Sequence, residues 1–437
     1  MTSPASLAGD RAAAPASVDR NQWIFPIGLG ILAALYLLQT LTPLRLDTDS
    51  LNYLIMATAM ADGQPVPAIG LPTGYSVIVA LMDRAGVASS FSFVLANCVF
   101  LAAGLAAVWQ MMGRANENSR RWVVLLTLLS FPVVRSVAMP LPEAAYFGIS
   151  LVTLALILAS ARASGVARAL LILACLALIP VAMSIRPIGL ALIPALLWAC
   201  AAGPYRRFVA ARGGRNAAAL TVAVLATCLV LAAVAFGRDL LVYYWEQAML
   251  AYPSGRATEG VVEHLHGHVR AVGELVVNVP YIKVRRLEPL FFAVGAVIVI
   301  VAVALTRVRG HLTPADVYVA GFLAVLAIWP HSVARLWMPV VPLLIGYVAR
   351  FVFRPGFPSR WILPVRICVA WFVVTGLGAI AFTSRSTLAG ENFATVYGVA
   401  GGMSTMGEGG APRNEIYDRQ ALELMNRYGT AAQRAVK

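Results

Sequence analysis

Stretches of about 20 consecutive apolar residues recur along almost the whole chain, as in Trp23 to Leu41, Ser90 to Met112 and Ala217 to Phe236. A helix of that length rises about 30 Å, the thickness of a bilayer's hydrocarbon layer. In lipid every backbone N–H and C=O must be satisfied within the protein, so a chain of this kind folds as a helix bundle. Composition agrees: 60% of the 437 residues are hydrophobic and 12% are charged, against about half and about a quarter in a soluble domain. The expected fold class is therefore all-α, a polytopic transmembrane bundle of about 11 spans.

The spans are expected near 22–41, 90–112, 121–136, 142–161, 167–184, 187–202, 216–236, 289–306, 316–330, 336–353 and 362–383. Residues 1–21 read as a disordered cytoplasmic tail, 22–383 as the transmembrane domain and 384–437 as a non-cytoplasmic tail with a short helix. Alternate connections test this layout, because cytoplasmic loops collect Lys and Arg. With the N-terminus inside, the inner pieces hold 17 of the 34 basic residues but only Asp10, Asp19, Glu117 and Asp316 among the 20 carboxylates. Nearly all of the net +14 charge then lies inside. That charge is scattered through short loops and forms no stripe, which argues against nucleic acid as a partner. Arg outnumbers Lys 32 to 2 and Ala is abundant, which hints at a GC-rich bacterial genome; the expected location is the inner membrane of the cell envelope. The five cysteines all fall inside apolar runs, where they serve as small core residues.

Two outer loops, 43–89 and 237–288, together with the tail, are large enough to carry chemistry. In the tail, Asn414 is a candidate N-cap, Tyr417, Ala421, Leu424, Met425 and Tyr428 share one helical face, and Gly429 can end the helix. In the first loop, Leu46-Asp47-Thr48-Asp49-Ser50-Leu51-Asn52-Tyr53 leads into a helix that Asp62-Gly63 can end, with Thr48 or Asp49 the expected N-cap. Residues two apart in an extended stretch point the same way, so Asp47 and Asp49 are either a solvated cap or a pair that addresses one substrate or one divalent cation. One of two neighbouring carboxylates can serve as a base.

The run Asp49-Ser50-Leu51-Asn52-Tyr53, then Ala57, Gly63 and the turn Leu71-Pro72-Thr73-Gly74-Tyr75 with a short helix to Arg84, resembles the GT-C superfamily of membrane glycosyltransferases. That superfamily includes the protein O-mannosyltransferases and the lipid A aminoarabinose transferases. The shared pattern is a first span, an acidic residue shortly before a Tyr, juxtamembrane helices, a proline turn and a second span. The resemblance implies a polyprenyl-phosphate-linked sugar as donor, a lipid or polymer acceptor, and Asp49 as catalytic base with Asp47 as runner-up. Glu143 in Pro142-Glu143 matches a second acidic group of such sites, and is otherwise a helix-capping carboxylate.

Other polar residues near the outer ends of spans complete the candidate site. Tyr53 follows the acidic pair, Arg135 neighbours Glu143, Arg186-Pro187 forms a tight outer turn, and His331 and Arg335 flank another. Guanidinium groups at headgroup depth either hold a phosphate or snorkel to the interface. No metal ligand set is assigned, although a Mg or Mn ion bound through Asp47 remains open. His264, His266 and His268 lie in the middle loop without a zinc-protease motif, and the Lys283–Arg286 group there attracts lipid phosphate or anchors the chain. Walker A loops, nucleophile elbows and Cys/His arrays are all missing from the sequence. A different class of function, a flippase or an O-antigen polymerase or ligase acting on lipid-linked saccharides, would not require the acidic first loop.

Overall fold

The computed structural model describes residues 23–67, 69–113, 117–201, 257–280, 284–308, 312–329, 332–353, 356–390 and 415–434. The expected span 216–236, the 237–256 segment, Lys283, His331 and Asn414 lie outside these residues. Among the described residues all regular structure is helical. In chain order the helices are α1 (Ile24–Leu38), α2 (Thr48–Ala61), α3 (Gly74–Arg84), α4 (Ser90–Met111), α5 (Glu117–Leu128), α6 (Phe131–Val137), α7 (Pro142–Ser160) and α8 (Gly165–Ile185). Then follow α9 (Pro187–Ala201), α10 (Ala257–Val277), α11 (Glu288–Val308), α12 (Pro314–Ile328), α13 (Val341–Val352), α14 (Ile362–Leu388), α15 (Glu415–Tyr428) and α16 (Ala431–Arg434).

Among the described residues five helical stretches, Ser90–Met111, Pro142–Ser160, Gly165–Ile185, Ala334–Val352 and Ser359–Leu388, are long and apolar enough to cross a membrane. Shorter apolar helices cover Phe25–Leu41, Pro187–Ala201 and Pro314–Ala327. Their burial separates the bundle's centre from its rim: 67% of the apolar window of α7 is buried, against 11% for Ser359–Leu388. At the centre, α4 and α7 approach closely through glycines. A Cβ on Gly104 would fall 2.4 Å from the Phe147 ring, and one on Gly148 would fall 2.5 Å from the Phe100 carbonyl oxygen. Small residues at such crossings let helices gain dispersion contact where lipid supplies no hydrophobic drive.

Several expected boundaries are corrected. The 121–136 segment is not one helix: Ser130 is extended and Pro132 sits in the first turn of α6, so it cannot continue the hydrogen-bond ladder of α5. Asn278, in a left-handed conformation at φ 58°, fills this break. Its side chain accepts from Phe131 N–H (2.8 Å) and donates to the carbonyls of Leu129 (3.0 Å) and Phe372 (3.1 Å). The 187–202 and 336–353 segments both open with 3₁₀ turns, Pro187–Ala191 and Ala334–Val340, where prolines interrupt α-helical pairing. The last span runs past 383 to Leu388. Its end is tied to α1 by a buried polar belt in which Gln39 bonds Ser384 (3.0 Å) and Thr387 (2.8 Å), and the fully buried Arg45 bonds Thr387 (3.1 Å).

The N-cap of α2 is Asp47, not Thr48 or Asp49 as expected. Its side chain accepts from Ser50 N–H (2.8 Å) while the Ser50 hydroxyl accepts from Asp47 N–H (2.6 Å), a reciprocal capping box. Gly63, at φ 67°, ends the helix as expected. The tail helix α15 packs its Leu424 and Tyr428 into the core cluster that also holds Leu51 and Tyr53, with Ala421 and Met425 alongside. The side chain of Tyr417 is not among those described.

Candidate active site

The extended lead-in Thr42–Leu46 is buried and delivers Asp47 and Asp49 to the head of α2. Three other chain segments end at the same place. Helix α6 brings Arg135 in its last turn, Glu143 occupies the first turn of α7, and Arg186 caps the end of α8 in extended conformation. The 3₁₀ turn before α13 adds Arg335. Residues scattered over almost 290 positions thus converge on one end of the bundle.

Arg335 is the hub. Its guanidinium bonds Asp49, reaches Asp47 at 3.1 Å and lies 3.4 Å from Glu143. Arg186 pairs with Glu143, and Arg135 stands 4.0 Å from Asp47. Three carboxylates therefore face three guanidinium groups and the cluster balances in charge. Glu143 is 3% exposed, Asp47 15% and Asp49 29% at the side chain, so Asp49 is the carboxylate most open to an incoming molecule. Asp47 caps α2, whereas Asp49 lies in the first turn of the helix and bonds Arg335.

Tyr53 sits behind this cluster rather than in it. It is fully buried, edge-on to Tyr75 with ring centroids 5.6 Å apart, and its hydroxyl has no hydrogen-bond partner among the described residues. Burial raises its pKa well above the ordinary tyrosine value, so the phenol stays protonated and can only donate to an anion. Of the sequence-derived site residues, the structure brings Asp47, Asp49, Glu143, Arg135, Arg186 and Arg335 together and places Tyr53 beside them. His331 lies outside the described residues.

In front of Glu143, Arg186 and Arg335 opens a cleft. Its walls are Leu71, Pro72, Tyr146, Pro187, Ile188, Val325, Leu326, Trp329, Leu336 and Pro339. The cleft is apolar along its walls and ionic at its head. Sequence reasoning missed the wall residues Val325 to Trp329 and Leu336 to Pro339, because ordinary apolar residues near the ends of helices carry no signal of facing a cleft. It also missed Asn278, whose role is visible only once the α5–α6 break exists.

The histidines occupy a separate place on α10. His264 and His268 are buried with their Nε2 atoms 3.0 Å apart, while His266 stacks on Phe292. Among the described residues no three His, Cys, Asp or Glu side chains gather as a metal site.

Among solved structures, ArnT from Cupriavidus metallidurans, determined bound to undecaprenyl phosphate, matches 86% of this chain and 78% of its own with a TM-score of 0.51. The fold is similar to that of ArnT over most of both chains. Identity to ArnT is 13%, so the likeness is one of fold. No protein-family model and no curated protein matches the sequence.

Proposed function

We propose that the protein transfers a sugar from a polyprenyl-phosphate donor to an acceptor hydroxyl on the non-cytoplasmic face of the membrane. The observation that carries this reading is the pairing of an apolar cleft with an arginine head and a first-loop carboxylate. An isoprenoid tail stays in lipid and along the cleft walls, while Arg186 and Arg335 take the phosphate in bidentate fashion. The undecaprenyl phosphate bound to ArnT, a protein of the same fold, supports a lipid phosphate as partner.

In this mechanism Asp49 accepts the proton of the acceptor hydroxyl as its oxygen attacks the anomeric carbon. The bond from that carbon to the phosphate oxygen breaks, and the pair of electrons leaves on the polyprenyl phosphate, whose charge Arg186 and Arg335 stabilise. One displacement inverts the anomeric centre. The Mg or Mn ion suggested by the spacing of Asp47 and Asp49 fits poorly here, because Arg335 already joins those two carboxylates and Asp47 also caps α2. The chemistry is drawn with the chain's own groups.

Arg335 then has two sets of partners. Without donor it holds Asp49; a donor phosphate draws it away and leaves Asp49 free to accept a proton. The test is sugar transfer in proteoliposomes from a panel of radiolabelled polyprenyl-phosphate sugars. Loss of transfer in Asp49→Asn with wild-type insertion and folding is the expected result. Full activity of that variant refutes Asp49 as base, and lipid-linked saccharide crossing the bilayer without transfer favours a flippase.

A further inference from the structure

The C-terminal helices touch the candidate catalytic loop at both ends of α2. At its entrance, the Gln433 carboxamide accepts from the N–H of Leu44 (2.8 Å) and donates to the C=O of the same residue (3.1 Å), as a neighbouring strand would. Gln433 is itself oriented by Thr430, whose N–H donates to its Oε1 (3.1 Å). Leu44 is three residues before Asp47, so about 10 Å of extended chain separates the grip from the carboxylate.

At the exit of α2, Arg427 forks onto both oxygens of Asp62 (2.7 and 2.8 Å) and reaches Asp83 at the end of α3 (2.7 Å). The Tyr428 hydroxyl donates to Asp83 (2.8 Å) and lies 3.1 Å from the Thr58 hydroxyl. Its ring is fully buried and edge-on to Phe93 of α4. The bidentate Arg427–Asp62 pair is exposed, and alone would contribute little. Joined to a buried tyrosine and a carboxamide that pairs with main chain, it closes a clamp around the whole loop.

We infer that Gln433, Tyr428 and Arg427 are positioning residues that hold the Asp47–Asp49 turn in register with Arg335, Glu143 and Arg186. This rests on the transferase reading for its catalytic consequence, but the clamp itself is a statement about the loop. None of the three touches the cleft. They act through the lead-in Thr42–Leu46 and through the α2–α3 pair, and a displacement of about 1 Å at the turn is enough to spoil a near-attack geometry.

The experiment uses the full chain in nanodiscs, with Gln433→Ala, Tyr428→Phe, Arg427→Ala and Arg427→Lys. Tyr428→Phe keeps the buried ring and removes only the hydroxyl, which guards against a variant that fails to fold. Amide exchange over residues 42–62 is expected to quicken by about tenfold in Gln433→Ala. Transfer kcat per folded molecule is expected to fall roughly tenfold or more with the donor KM within about twofold, and Arg427→Lys to recover part of the loss seen in Arg427→Ala. Unchanged exchange over 42–62 overturns the clamp, and faster exchange with undiminished kcat overturns the positioning role of its residues. If wild type transfers no sugar from any polyprenyl-phosphate donor, the functional reading fails while the exchange experiment still decides whether the clamp holds the loop.

Discussion

If Arg335 is shared between Asp49 and a donor phosphate, the carboxylate and the phosphate compete, and removing the carboxylate should tighten phosphate binding. The perturbation is Asp49→Asn, measured with and without Arg335→Gln. Arg335 is 16% exposed and Asp49 29%, so their contact is partly screened. At an effective dielectric near 20 a contact pair is worth a few kcal/mol, and the exposure of Asp49 and the remaining contacts to Asp47 and Glu143 reduce the share lost on binding to about 1–2 kcal/mol. That corresponds to a gain in affinity for undecaprenyl phosphate of about 5- to 30-fold in Asp49→Asn. Binding is read in nanodiscs by titration with the lipid. Charge removal alone would also reduce repulsion, so the cycle is essential: in the Arg335→Gln background the gain from Asp49→Asn should shrink to within about twofold. Equal gains in both backgrounds, or weaker binding in Asp49→Asn, would refute the shared-arginine argument.

Three further outcomes follow from the same geometry. Glu143→Gln leaves Arg186 and Arg335 short of a buried partner, which costs about 3–5 kcal/mol of stability; thermal unfolding should show the loss, and added undecaprenyl phosphate should restore more stability to this variant than to wild type. Asn278→Ala strands the Phe131 N–H and the Leu129 carbonyl at the α5–α6 break, for about 3 kcal/mol, readable as a lowered Tm together with reduced transfer because α6 carries Arg135. Burial, and after it the neighbouring His264, depresses the His268 pKa from 6.5 to about 4. The unfolded chain then binds a proton that the folded one refuses, so stability present above pH 6.5 declines by about 2–3 kcal/mol on the way down to pH 4, and a His268→Gln variant should show a flatter decline.

The membrane bundle was legible because a span is a local property: its length and hydropathy are contiguous in sequence, and α4, α7 and α8 lie where the apolar runs place them. The six charged residues of the candidate site could be singled out for a related reason, since ionisable groups near helix ends are costly and few. Their mutual arrangement was not. Nothing in the spacing of Asp47 and Arg335, almost 290 positions apart, says that one guanidinium bonds two aspartates and approaches a glutamate. The cap fell on Asp47 rather than Thr48 or Asp49 because Ser50 can return its hydrogen bond, a choice between neighbouring cap formers that a preference scale does not make. The grip of Gln433 on Leu44 also escaped the sequence, as a glutamine near the end of the chain has no periodic partner.

The charge balance of the site bears on turnover as well as binding. A polyprenyl-phosphate sugar is a phosphodiester with one negative charge, whereas the polyprenyl phosphate that leaves the reaction is a monoester approaching two. An arginine cluster built to stabilise that developing charge would by itself retain the product. In the proposed transferase Asp49, Asp47 and Glu143 would supply the opposing pull: once the sugar had left, the carboxylates would recapture Arg335 and the phosphate would lose a partner. On that proposal, the same competition that would delay base activation until donor arrives would then help clear the site. It follows that Asp49→Asn should tighten the binding of undecaprenyl phosphate more than that of an intact, non-hydrolysable phosphodiester donor analogue. Titrating both lipids against wild type and variant measures this difference. An equal gain for the two would mean that the carboxylates act on catalysis alone and leave product release to the lipid.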